Sequence, residues 1–246
     1  MRFPTFVSAV ALAATALAAR PANAQHQRQT RRYDHQGRPY YAGPLHITLA
    51  GGSALYDGDL GNSPTNNFFG IAGSLGVLYR LTPHLHLGSE FSYVPLGARD
   101  QLTERGLAFT GTNGVGTVFF RYDLLKDESV FAASSAEAPI FQVYVQGGAG
   151  LLLYDPQSYL GTARATSSTS FFAPERNDYP ALAGAFPVGA GFSVHLLDRW
   201  RAGLEANYYL TTTDQLDDIS NKRLGGASNS LDNFGTLLLK VDYSLE

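Results

Sequence analysis

Apolar and polar residues alternate along the chain between Phe69 and Leu81. One face carries the apolar members Phe69, Ile71, Leu75, Val77, Tyr79 and Leu81. The other face carries Gly70, Ala72, Ser74, Gly76 and Arg80, with Leu78 as the one apolar exception. A period of two predicts a β-strand, because successive strand side chains point to opposite faces. About nine to eleven residues suffice for a tilted strand to cross the apolar layer of a membrane.

Seven further segments share this alternation, so the sequence predicts an all-β protein of eight strands. In chain order they are residues 45–56, 69–81, 85–96, 111–124, 140–154, 182–196, 200–210 and 233–245. The connections after the second and sixth strands are tight turns, whereas those after the odd-numbered strands are longer and polar. This organisation is typical of an antiparallel up-and-down transmembrane β-barrel. Residues 125–139 break the rule, since they form a long connection after an even strand, and we expect an extended periplasmic turn there.

A soluble ligand-binding barrel also alternates, but it turns its apolar face inward. Two features favour lipid outside instead. The non-apolar face is dominated by small residues, and the apolar faces carry aromatic residues of the kind that lie at membrane interfaces. The predicted aromatic girdle comprises Tyr56, Phe69, Tyr79, Tyr93, Tyr122, Tyr154, Trp200, Tyr208 and Tyr243.

The N-terminal composition predicts export. A short basic start is followed by an apolar run and the small-x-small site Ala22-Asn23-Ala24, so residues 1–24 are predicted to be a signal peptide. Residues 25–43 are polar and predict a flexible periplasmic leader, and residues 44–246 form the barrel domain. Charged residues make up 16% of the chain, below the roughly 25% of soluble domains, and there is no Cys. The net charge of −3 gives no reason to expect nucleic acid as a partner.

Charges of both signs lie on the small face, and a narrow lumen would penalise each of them unless it were paired. They are Arg80, Glu90, Arg121, Arg201, Glu205 and Lys240. We expect Glu90 and Glu205 to meet Arg121, Arg80 and Lys240 in an internal network. A static plug is favoured over a gate, because eight strands leave an interior only wide enough for side chains.

Several stretches resemble small OmpA/OmpX-type outer-membrane β-barrel proteins, particularly a Gram-negative barrel family with an acidic signature after the penultimate strand. They are Tyr56-Asp57-Gly58-Asp59-Leu60, Gly106-Leu107-Ala108-Phe109, Gly147-Gly148-Ala149-Gly150, Pro187-Val188-Gly189-Ala190-Gly191-Phe192 and Thr212-Thr213-Asp214-Gln215-Leu216-Asp217-Asp218-Ile219-Ser220. The resemblance implies the fold and an outer-membrane location, not a reaction. Such barrels often end on an aromatic residue, whereas this one ends Tyr243-Ser244-Leu245-Glu246. No peptidoglycan-binding domain is expected.

Acidic and histidine clusters raise the question of a metal. The signature loop offers Thr213, Asp214, Leu216, Asp217 and Asp218, but its spacing does not match a calcium loop, so a solvated loop or a helical cap is favoured. The same applies to Asp57 and Asp59. His84 and His86 have no evident third ligand. No metal and no cofactor are predicted.

A catalytic interpretation is also considered. Ser193 and His195 share one face of the sixth strand, and Glu205 shares that face on the seventh, so a nucleophile, a base and a carboxylate are available. No nucleophile-elbow motif supports them, and we expect no enzyme. The favoured function is structural or interaction-based, with a small-solute channel and a lipid-modifying enzyme as alternatives. The expected partners of this monomer are outer-membrane lipid and, through the loops, extracellular or periplasmic proteins.

Overall fold

A computed structural model describes residues 45–61, 63–102, 104–125, 139–197, 199–219 and 231–245. The predicted signal peptide and leader, and most of the 125–139 connection, lie outside these residues. The strands are β1 Leu45–Asp57, β2 Gly70–Arg80, β3 Leu85–Arg99, β4 Leu107–Asp123, β5 Phe141–Leu160, β6 Ala181–Leu197, β7 Trp200–Thr211 and β8 Asn233–Leu245. A single turn of 3₁₀ helix spans Pro64–Asn66. Among the described residues, no helix is long and apolar enough to cross a membrane.

The eight strands form one closed antiparallel barrel in sequence order. Closure comes from β1 and β8, which pair from Leu45↔Leu245 to Asp57↔Asn233. A closed sheet has no edge strand, so every strand has a hydrogen-bonding neighbour on both sides. The predicted fold class is therefore confirmed.

Strands β3, β4 and β5 extend further at the long-loop end of the barrel than the sequence pattern predicts. β3 continues to Arg99, β4 begins at Leu107, and β5 continues to Leu160. Asp155-Pro156-Gln157 has a turn-like composition, which is why the sequence pattern ended the fifth strand at residue 154. In the structure Pro156 pairs with Gly111, and the ladder continues to Leu107↔Leu160. The added pairing lies at the end of the barrel that carries the long loops.

The outer surface of the barrel is apolar around the whole circumference. Every strand contributes exposed apolar side chains, among them Leu49, Ile71, Leu87, Val118, Leu151, Val188, Leu204 and Leu239. The intervening residues face inward and are mostly buried; in β2, Ala72, Ser74 and Leu78 are buried while Leu75 is exposed. Monomeric soluble proteins rarely expose a continuous apolar patch of this extent. The soluble-barrel alternative is thus contradicted by the direction in which the side chains point.

Candidate functional site

A buried lysine bridges two glutamates in the middle of the lumen. Lys240 Nζ lies 2.9 Å from Glu205 Oε2 and 3.2 Å from Glu90 Oε2. Asn207 donates to the other Glu205 oxygen at 2.9 Å, and Ser92 donates to Glu90 Oε1 at 3.2 Å. The period-two pattern of β3, β7 and β8 points these side chains inward, and the closed ladder then brings them to the same level. The cluster spans the lumen from one wall to the other.

A second cluster lies nearer the short-turn end and centres on Arg121. Its Nε donates to Asp123 Oδ1 at 2.9 Å, and its Nη1 lies 3.7 Å from Asp242 Oδ2. The guanidinium stacks 3.5 Å from the centre of the Tyr144 ring. The Tyr144 hydroxyl donates to Glu205 at 2.9 Å, so this ring connects the arginine cluster with the lysine cluster. Such linked networks strengthen the individual hydrogen bonds.

The observed pairings differ in part from the predicted network. Lys240 meets both glutamates as expected, but Arg121 contacts Asp123 and Asp242 rather than a glutamate. Both aspartates lie two residues from a predicted member on the same strand, so the period-two rule would have included them. The Arg80 Nε donates to His86 Nε2 at 3.4 Å, and Arg201 is buried in β7. The role of these charges as a plug stays a prediction.

The prediction of an outward-facing aromatic girdle is wrong for two of its residues. Tyr56 and Tyr154 are only 2% and 1% exposed and point into the barrel. Their even positions share a face with inward residues such as His46 and Gln142, so strand parity requires this orientation. The other predicted girdle residues lie on the outer surface, with Tyr243 half-buried against Trp200 at a ring distance of 4.7 Å. Tyr79, Tyr122, Trp200 and Tyr243 lie towards the short-turn end of their strands, and Phe69 and Tyr208 lie towards the long-loop end.

The long-loop half of the lumen is filled by apolar side chains. Tyr209 stacks on Phe234 with ring centres 4.5 Å apart, and Tyr56 meets Phe109 edge to face at 4.8 Å. These rings belong to a buried apolar cluster. Leu216 and Ile219, from the β7–β8 loop, complete the cluster with no exposed surface. Sequence reasoning missed this layer, since it looked for function among the charges.

The signature loop folds into the barrel mouth, so its interpretation as a solvated loop is wrong. Asp217 and Asp218 are buried, as are Leu216 and Thr213, whereas Asp214 is partly exposed. The Ser158 hydroxyl and the Glu175 N–H donate to the two oxygens of Asp218 at 3.0 and 2.8 Å. Burying Leu216 and Ile219 in the apolar layer draws the intervening acids inside, where they need donors.

The candidate metal ligands have other contacts. His84 Nδ1 lies 2.9 Å from the Asp123 carbonyl, and its ring stacks on Tyr122, while His86 lies beside Arg80 and Asp123. Asp57 accepts a hydrogen bond from Tyr208 at 2.6 Å. Within the described part of the chain, no group of three or more His, Asp or Glu residues could hold a metal ion.

The candidate triad does not assemble. Across the described residues, the Ser193 hydroxyl has no hydrogen-bond partner, although it is buried. The Glu205 carboxylate is bonded to Lys240, Tyr144 and Asn207. A nucleophile needs a base within hydrogen-bond reach, and this geometry does not provide that contact for Ser193.

A closed barrel with an apolar exterior and a packed interior defines an integral outer-membrane β-barrel protein. The orientation rule for such barrels places the long loops outside and the short turns in the periplasm.

Solved structures with a similar fold include Neisserial surface protein A, at 14% identity over 83% of this chain and 99% of the other, with a TM-score of 0.45. Ail of Yersinia pestis has 11% identity over 83% and 99%, with a TM-score of 0.45. The outer membrane enzyme PagL has 14% identity over 81% and 99%, with a TM-score of 0.37. No protein-family model and no curated protein matches the sequence, and the predicted family signature stays a prediction.

A glycine in the first long loop permits close packing at the mouth. A Cβ at Gly58 would collide with the Asp232 carboxylate and the Tyr56 hydroxyl. We expect Gly58→Ala to lower the free energy of unfolding by about 1–3 kcal/mol through overpacking. Gly51→Ala is the matched control, since a Cβ there meets nothing within 4 Å. Equal urea midpoints for the two variants in lipid vesicles would contradict the close packing.

Proposed function

We propose that this protein is a closed outer-membrane barrel with a structural or surface-interaction role, presented by its long loops. The observation that supports a closed lumen best is the complete burial of Leu216 and Ile219 in the mouth. Close packing of apolar side chains across the mouth hinders the passage of water and ions. The Lys240 bridge is a second obstruction below it.

The extension of β4 and β5 at the long-loop end of the barrel supports the interaction role. The outward-facing residues Thr112, Asp155 and Gln157 are exposed and polar, which indicates that β4 and β5 rise beyond the apolar belt. Beyond them, at the long-loop end, Leu160 and Phe171 are exposed apolar side chains. Exposed apolar residues beside the long loops suit contact with another surface.

Conductance across planar bilayers tests the closed lumen. We expect the parent, Glu90→Ala and Arg121→Ala to give no discrete current steps, because the apolar layer closes the lumen above both charge clusters. A large porin in the same bilayers serves as the positive control. Sustained current through the parent would favour the small-solute channel instead. Current that appears only in Glu90→Ala would indicate that the charge network acts as a gate and not as a static plug.

A further inference from the structure

Three oxygen atoms meet at the barrel mouth with too few protons for their contacts. The Tyr56 hydroxyl lies 2.8 Å from Asp217 Oδ2 and 2.7 Å from Asp232 Oδ1. A phenol carries one hydrogen, and ionised carboxylates only accept. Tyr56 can therefore donate to one aspartate only. The second contact is a hydrogen bond when the other carboxyl carries a proton and donates it to the phenol oxygen.

The same two aspartates hold the loop backbone. Asp232 Oδ2 accepts a hydrogen bond from the Leu216 N–H at 2.9 Å, and Asp217 Oδ1 accepts one from the Ile219 N–H at 2.9 Å. Asp232 N–H in turn donates to the Thr213 carbonyl at 2.9 Å. The oxygens that face away from Tyr56 thus fix residues 212–219, which we name the lid segment. Leu216 and Ile219 of this segment plug the mouth.

Among the described residues, the groups that face Asp217 and Asp232 do not supply a positive charge. From the β1–β2 loop Asp59 faces both aspartates, and from the lid segment Asp214 faces Asp232. From β4 the neighbour of Tyr56 is the apolar ring of Phe109. These neighbours add negative charge or none beside two carboxylates that are almost fully buried.

The β5–β6 loop packs on the other side of the lid segment. There Tyr179 and the Glu175 N–H face Asp218, and Arg176 donates to the Tyr154 hydroxyl at 3.1 Å and pairs with Asp178. The Arg176 guanidinium is thus engaged with Tyr154 and Asp178.

We propose that residues 212–219 form a proton-locked lid, in which Asp217 and Asp232 share one proton across the Tyr56 hydroxyl and loss of this proton releases the lid from the barrel mouth. The device responds to protons whether or not the loops bind a partner, so it goes beyond the proposed function. Two ionised carboxylates buried side by side would lack a hydrogen for one of their contacts and would repel each other.

The direction of the pH dependence follows from the closed state. Burial raises the pKa of Asp232 to about 7. Burial and the neighbouring Asp232 carboxylate hold the pKa of Asp217 well above its usual range. An open lid returns both groups to water and to ordinary pKa values near 4. Closure is therefore fully supported below about pH 4, and this support is lost progressively as the pH rises from there through about 7.

Amide hydrogen exchange of the full chain in lipid vesicles tests the lid, with EDTA present throughout and rates corrected for the intrinsic effect of pH. We expect the protection of residues 212–219 to fall about tenfold per pH unit between about pH 4 and 7 and to level off above pH 7, because only in that range does the closed lid bind one proton more than the open lid. Protection of β4 amides should stay constant, which separates lid opening from unfolding.

Two variants distinguish the shared proton from other causes. Asp232→Asn places a permanent amide hydrogen at the contact, so lid protection should become independent of pH; Asp217→Asn gives the same expectation if the first variant does not fold. Glu104→Gln removes an exposed acid at the same end and should keep the parental profile. A flat profile in the parent, or a slope that survives both asparagine variants, would overturn the proposal. Protection that is low at every pH in EDTA and returns with Ca²⁺ would assign the pair to a cation and overturn it as well.

Discussion

Lys240→Met is expected to lower the free energy of unfolding by about 3–5 kcal/mol, the usual effect of removing one partner from a buried ion pair. Lys240 Nζ is the cation that contacts Glu90 and Glu205, and both glutamates are buried. Without it the two carboxylates face each other across a narrow lumen. Urea unfolding in lipid vesicles measures the loss, and the single Trp, Trp200 on the outer surface, reports it by fluorescence.

The triple variant Lys240→Met, Glu90→Gln, Glu205→Gln is the matched control. It removes the charges together, and neutral replacements of a buried ion pair are often nearly neutral in stability. We therefore expect it to unfold close to the parental urea midpoint. If Lys240→Met alone were as stable as the parent, water in the lumen would be solvating the glutamates, and the bridge would not hold the barrel.

Leu75→Arg is expected to destabilise the barrel by about 2–4 kcal/mol, the cost of an arginine on the lipid face near the bilayer centre. Leu75 is 58% exposed and lies midway along β2, between Leu49 of β1 and Phe91 of β3. On a water-facing surface the same change would alter stability by less than about 0.5 kcal/mol. Urea titration in lipid vesicles therefore separates the two environments with a single substitution.

Thr112→Arg is the matched control for Leu75→Arg. Thr112 is exposed on β4 and pairs with Asp155, at a level where the outer wall has become polar. An arginine near the interface costs about 0–1 kcal/mol, so this variant should unfold close to the parental midpoint. Equal losses at both positions would place the membrane boundary above Thr112 and contradict the assignment of β4 and β5 as an extracellular wall.

The alternation of inward and outward side chains along each strand predicts most of the lumen residues correctly. The two wrong predictions lie at strand ends, where the aromatic composition was followed instead of the alternation. It points Glu90, Arg121, Glu205 and Lys240 inward, as the structure has them. The same parity requires Tyr56 and Tyr154 to face inward, but an aromatic residue at a strand end has the composition of a girdle. Composition and parity therefore gave opposite answers at these two positions, and the geometric rule was the correct one.

The signature loop shows the opposite case. Its acids suggest solvent, and nothing in the local sequence indicates that Leu216 and Ile219 would enter the mouth. That outcome depends on an apolar layer assembled from distant strands, including Phe109 and Phe234. A buried carboxylate becomes acceptable only once Tyr56, Ser158 and backbone N–H groups are in place to donate to it.

The sequence by itself determined the alternation, the number of strands and the face that each strand turns outward, because a period of two is a local property of the chain. The tertiary structure alone decided which inward side chains meet. Lys240 reaches Glu90 across 150 positions of sequence, and Tyr56 reaches Asp217 across 161. Such encounters depend on the register of all eight pairings around the closed barrel, which sets the height of every residue along the lumen. The alternation along a strand predicts which side chains point into the lumen. Only the closed barrel determines which other side chains they contact there.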